Sequence, residues 1–159
     1  MNSTPPAGES ELRKAIATHP LLRDLSPAML DTLGAYAMKA SFGTGEAIFR
    51  EGDPANRFYL ILSGQVTLSS SNVDGPETIL QTIGPGDVLG WSWLFPPYYW
   101  NFDARAVEPV EAIFFYGTRL REECEVNHDL GYELLLRMST VIIHRLQSAR
   151  RQLLARGPG

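Results

Sequence analysis

The sequence predicts a mostly β protein: an antiparallel β-roll or jelly roll with helices ahead of it and one long C-terminal helix behind it. Three observations predict this. Short runs rich in β-branched and aromatic residues ("EAIFR", "RFYLILSG", "QVTLSSS", "TILQTI", "EAIFFY") follow one another after Met38. Glycines punctuate them at Gly43, Gly45, Gly52, Gly64, Gly75, Gly84 and Gly86. On both sides of this stretch the apolar residues return to helical spacing. Evenly spaced short strands with Gly-rich turns make compact antiparallel rolls. The length of 159 residues, 44% hydrophobic and 20% charged, suits one globular domain with a proper core.

Taken in order, residues 1–10 are polar, contain Pro5-Pro6 and read as a disordered tail before a single domain over 11–159. Ser10 is placed to cap a first helix from Glu11 to Thr18, which ends before His19-Pro20. In "LSPAMLDTLGAYA", Ser26 is the expected N-cap and Pro27 the first helical residue, where a missing N–H costs nothing. Leu30, Leu33 and Tyr36 share one face of this second helix. The roll spans about 39–116. Within it Val66 and Leu68 alternate with Gln65, Thr67 and Ser69, the pattern of a strand with one wet face. "SSNVDGPE" is a polar hairpin loop. From about 127 to 155 the helical period holds, and "RGPG" ends it. Leu135, Met138, Ile142, Leu146, Ala149 and Leu153 make one stripe. Arg150, Arg151 and Arg156 suit the negative pole of the helix. Such a stripe packs on its own roll, or also meets a second helix in a homodimer or a larger complex.

Composition narrows the function classes. A net charge of −4 disfavours general nucleic-acid binding, which rewards a basic surface. No signal-peptide pattern and no run of roughly 20 apolar residues is present. Cys124, the only cysteine, makes no disulfide framework. The expected compartment is the cytoplasm, with no membrane contact. His19, His128 and His144 lie outside the expected strands, so no metal cluster forms on the roll. Cys124 and His128 are four apart, but Asn127 is placed to cap a new helix between them and break that register. With no nucleophile–base arrangement or phosphate-cradling loop either, the chain reads as a non-enzyme.

One stretch stands out. "WSWLFPPYYWNF", residues 91–102, holds all three tryptophans of the chain. Its surroundings carry a family resemblance. "HPLLRDLS", "GEAIFREGDPANRFYLILSGQVTL" (Gly45–Leu68), "IGPGDVLG" (Ile83–Gly90) and "ARAVEPVEAIFF" (Ala104–Phe115) resemble the cyclic nucleotide-binding domains of catabolite activator and FNR-type regulators and of kinase regulatory subunits. The resemblance covers roughly 15–155, with several glycines and Asp53 at matching spacings. It implies a β-roll that holds a ligand against a short helix, and a long helix that relays occupancy to neighbours. Gly90 begins the segment whose backbone N–H groups would face an anion.

The resemblance also locates departures. Binding members carry a Gly-Glu pair whose carboxylate takes the ribose hydroxyl, and about ten residues later an Arg that pairs with the cyclic phosphate. Here Gly90 matches, Trp91 stands in the glutamate's place, and the arginine's place falls at Trp100 or Asn101. Arg105 lines up with the departing strand instead. Two lost charge-assisted hydrogen bonds at ~1.5–3 kcal/mol each amount to roughly 10²–10⁴ in affinity. Cyclic AMP and cyclic GMP are therefore not expected to bind at cellular concentrations. Three readings of the aromatic run follow. The rings fill the vacated pocket, each burying ~150–250 Å². Or a pocket lined by Gly90, Trp91, Ser92, Trp93, Trp100, Asn101 and Asp103 takes another flat ligand, such as a different nucleotide, a nicotinamide cofactor or a flavin. Or Phe95, Pro96, Pro97, Tyr98 and Tyr99 protrude and dock on a partner.

DNA-binding relatives carry a helix-turn-helix domain after the long helix. With the chain ending at Gly159, the expectation is a stand-alone member that does not bind DNA directly. Its expected role is a non-enzymatic regulatory, sensor or accessory subunit. The alternatives are an accessory subunit of a multisubunit redox enzyme such as a hydrogenase, binding another nucleotide cofactor or none, and a purely structural dimerisation module.

Overall fold

The computed structural model describes residues 7–70 and 76–156. Two helices come first, α1 (Ala7–Thr18) and α2 (Pro27–Gly34). The strands follow: β1 (Ala37–Phe42), β2 (Ala47–Phe49), β3 (Arg57–Ser63), β4 (Val66–Ser70), β5 (Thr78–Ile83), β6 (Val88–Leu89), β7 (Asp103–Ala106) and β8 (Val110–Tyr116). A single 3₁₀ turn (Ser92–Leu94) lies between β6 and β7, and α3 (Gly117–Val126) and α4 (His128–Arg156) complete the chain. The first helix begins at Ala7 rather than at Glu11, so residues 7–10, expected in the tail, are helical. Ala7 and Glu9 extend the helix without any apolar spacing to reveal it. Residues 1–6 and the middle of the expected "SSNVDGPE" hairpin lie outside the described residues.

Two of the three expected caps form, at Ser26 and Asn127; Ser10 lies inside α1 and does not begin it. Ser26 is extended (φ −63°, ψ 152°), its Oγ accepts from the Met29 N–H, and Pro27 opens α2. Asn127 Oδ1 accepts from the Leu130 N–H at 3.2 Å and starts α4, which separates Cys124 from His128.

Two four-stranded antiparallel sheets make the roll, in the orders β1-β8-β3-β6 and β2-β7-β4-β5. The neighbouring strands β3 and β8 of the first sheet are covered on both faces, which is why they read as apolar runs, whereas the edge strand β1 leaves Met38, Lys39 and Ser41 exposed. In β3, Tyr59 and Ile61 point into the roll, while Phe58 and Leu60 point to the helices; in β8, Ala112 and Phe114 point inward and Ile113 and Phe115 outward. In β4 the predicted alternation holds from Val66 to Leu68, which are buried about the half-buried Thr67, but it fails at Ser69, which is fully buried where the register with β5 shifts. The turn between β3 and β4 requires Gly64: its φ is +91°, and a Cβ would lie 2.3 Å from the Pro109 carbonyl oxygen.

The long helix divides along its length. Leu130, Leu134 and Met138 are fully buried against α1, α2 and the outer face of β3 and β8. Beyond them Ile143, Leu146, Leu153 and Leu154 stand exposed, Leu146 at 68%. Met138 therefore leaves the expected interface stripe. Spaced by four with Leu130 and Leu134, it belongs to the face that packs inward.

Candidate ligand site

Between β6 and β7 the chain crosses the mouth of the roll as the aromatic run. Gly90 opens it at φ +93°, with its missing Cβ only 2.6 Å from Cη2 and Cζ3 of Trp100. The Trp100 ring occupies the space a side chain would need. It is 4% exposed and stacks flat on Phe49, with ring centroids 3.8 Å apart and planes 7° apart. Tyr59, Ile61, Leu89, Phe102 and Ala104 belong to the same inner cluster. The backbone of the run is pinned to the β2–β3 turn. Gly52 N–H donates to the Trp100 carbonyl, Trp100 N–H to the Asp53 carbonyl, and Ala55 N–H to the Tyr98 carbonyl, at 2.9, 2.9 and 2.7 Å.

Trp93 faces the other way. Fully buried, it stacks on Phe58 (centroids 4.8 Å), which stacks on Phe115 (4.6 Å), in the core under the helices. Its carbonyl accepts from Arg121 on α3, whose guanidinium carbon also lies 3.8 Å from the centroid of Tyr98. Ser92 is buried and its Oγ accepts from Asn101 Nδ2 at 3.2 Å, which ties the two ends of the run together. Asp103 accepts from the Glu51 N–H, and Arg105 donates to the Gly45 carbonyl at 2.6 Å. Both brace corners of the roll. Pro96, Pro97 and Tyr99 are exposed, whereas Phe95 and Tyr98 are half-buried beside α3 and α4.

Trp91 alone of the tryptophans is half-buried, and it borders a cavity of about 350 Å³ between the roll and α4. Leu68, Ile79, Leu80 and Phe102 form its roll side; Arg145, Ala149, Gln152, Leu153 and Arg156 form its helix side. Of the candidate pocket residues only Trp91 lines this cavity; Trp93 and Trp100 lie in the two cores, and Asn101 and Asp103 lie away from it. Arg145 is held in place: it donates to the Val88 carbonyl, and its own carbonyl accepts from Gln81 Nε2 at 3.2 Å. Burial lowers its pKa and nearby Asp87 opposes that, but a guanidinium stays charged.

The cavity was not legible in the sequence, where Ile79 and Leu80 are adjacent apolar residues of a short strand, whose side chains would ordinarily point to opposite faces. A register shift between β4 and β5 at Leu68/Ser69 breaks the alternation and lets both meet the helix side. A second cavity of about 530 Å³ lies under Phe95 and Tyr98, bordered by Cys124, His128 and Tyr132. Burial, with Glu123 beside it, pushes the Cys124 thiol up to about 11, so it remains protonated and structural. Among the described residues no group of three His, Cys, Asp or Glu side chains could hold a metal ion.

A glycine-cornered β-roll with a cavity closed by a long helix defines a ligand-binding regulatory domain. Residues 39–127 match the cyclic nucleotide-binding domain family, and the chain belongs to that family. It is 27% identical over 115 residues to the CRP-like cAMP-activated global transcriptional regulator of Mycobacterium tuberculosis, covering 72% of this chain and 51% of that one. It is 30% identical to the cyclic AMP receptor protein of Thermus thermophilus, covering 80% and 53%. The chain thus spans about half the length of these curated relatives. The crystal structure of a putative cyclic nucleotide-binding protein from Geobacter metallireducens superposes with a TM-score of 0.76 at 30% identity, over 89% of this chain and 99% of that one. No described helix is long and apolar enough to cross a membrane.

Proposed function

We propose that this chain is a non-enzymatic regulatory or sensor domain in which cyclic AMP and cyclic GMP bind weakly or not at all. The observation that carries the reading is Trp100. Its ring packs inside the roll, flat on Phe49 and against Gly90, and Trp100 or Asn101 holds the position that the family resemblance gives to the phosphate-binding arginine. Trp91 stands where the family has the ribose-binding glutamate and brings no carboxylate. Losing both contacts removes roughly 10²–10⁴ in affinity before any steric cost is added. Isothermal calorimetry with each nucleotide is the test: no heat is expected at micromolar concentrations, and micromolar binding of either one overturns the reading.

The partner this reading favours is a second copy of the chain, met through α4. Leu135, Leu146 and Leu153 are 45%, 68% and 68% exposed, with Ile142 half-buried among them. The acidic balance favours action on a protein partner over direct contact with DNA, and the single cysteine suits the cytoplasm.

A further inference from the structure

The cavity between the roll and α4 has a chemistry of its own. Its walls are mostly apolar, with Leu68, Ile79, Leu80, Trp91, Phe102 and Leu153 outweighing the neutral polar groups of Thr78, Gln81 and Gln152. Its two charged groups are both guanidiniums, Arg145 and Arg156, and no carboxylate of the described residues lines it. That pairing is selective. An apolar wall rewards hydrocarbon or aromatic area, and a cation in a mostly apolar surround rewards an anion more than bulk water would. Arg145 is already rigid: the Val88 carbonyl takes one of its five N–H donors, so docking an anion there costs little ordering. A cavity of about 350 Å³ lies at the small end of the range that ordinary small molecules occupy.

We propose that this cavity binds a small organic anion with an apolar body, its acid group on Arg145 and Arg156 and its body against Trp91, Ile79, Leu80 and Leu153. The proposal rests on the reading that the roll interior is closed to cyclic nucleotides, and it assigns the site that remains.

Calorimetry with two pairs of probes tests it: decanoate against decan-1-ol for an aliphatic body, and 2-naphthoate against 2-naphthalenemethanol for an aromatic one. In at least one pair the acid is expected to bind roughly tenfold or more tighter than the alcohol, the value of one charge-assisted hydrogen bond. The better pair identifies the body. Arg156→Gln, at an exposed helix end, is expected to weaken the acid several-fold and leave the alcohol unchanged. Ala149→Trp, which fills the cavity from the helix side, should abolish both, with an unchanged circular dichroism melt showing that the fold persists. Acid and alcohol binding alike, no binding of any probe, or binding unaffected by Ala149→Trp overturns the proposal. Cyclic AMP in a parallel titration separates the two claims. Silence from it together with silence from the acids defeats only this proposal, whereas micromolar binding of cyclic AMP defeats the reading beneath it.

Discussion

At the residue scale the site turns on one glycine and one ring. Gly90 has both a positive φ and a tryptophan where its side chain would go, so two independent costs fall on any substitution. Gly43, by contrast, has nothing within 4 Å of an added Cβ and no positive φ. Gly90→Ala is therefore expected to lower stability by about 1–3 kcal/mol, while Gly43→Ala stays within about 0.5 kcal/mol of the parent, read as urea midpoints at constant m-value. An equal effect of the two would mean that Trp100 does not press on Gly90. The same pair explains a limit of sequence reading. Gly90 is legible as the glycine of a familiar motif. That it makes room for a ring ten residues later depends on a stacking partner, Phe49, from a distant strand.

At the element scale α4 performs two tasks that one apolar stripe cannot separate. Helical spacing makes Met138 look equivalent to Leu135 and Ile142, yet Met138 is fully buried whereas Leu146 and Leu153 face solvent. Mutations at the two sets should report on different properties. Met138→Ala leaves a cavity under α1 and α2 and is expected to cost about 2–5 kcal/mol of folding stability. Leu146→Glu with Leu153→Glu removes no buried contact of the chain's own core and is expected to leave the melting curve of the isolated chain near its parent. The double variant should instead shift the species seen by sedimentation velocity from dimer toward monomer. A parent that is monomeric at all concentrations would remove α4 as a self-association surface. The length and position of this helix follow from the sequence, and so does its capping residue. Its rotation about its own axis does not, because the tilt against β3 and β8 sets which of two overlapping faces turns inward.

At the scale of the whole molecule, the fold was legible because the longer strands carried their own signatures: apolar runs in β3 and β8, alternation from Val66 to Leu68 in β4, glycines at the corners. The site was only half legible. The place of the aromatic run followed from the motifs on either side of it. Its division, with Trp93 under the helices, Trp100 inside the roll and Trp91 at the cavity, depends on backbone pairing with Gly52–Ala55 that no local pattern announces. A similar non-local dependence governs how the whole fold responds to acid. His19 joins α1 to the roll and is 4% exposed. Its Nδ1 accepts from the Leu21 N–H at 3.2 Å, so the neutral ring carries its proton on Nε2, which is buried. A second proton must go on Nδ1 and break the Leu21 bond. Burial lowers the pKa of His19; Asp87 and the Ile61 backbone oppose this and Arg23 assists it. The folded state thus takes up the proton at lower pH than the unfolded chain, whose histidine titrates near ~6.5. Between those two values the unfolded state binds more protons, so stability is fully present above about pH 6.5 and declines as the pH falls below it. His19→Asn keeps an acceptor for the Leu21 N–H without a titrating ring. Urea midpoints from pH 7.5 to 5 should fall less steeply in this variant than in the parent, and parallel slopes would show that His19 does not carry the acid sensitivity of the fold.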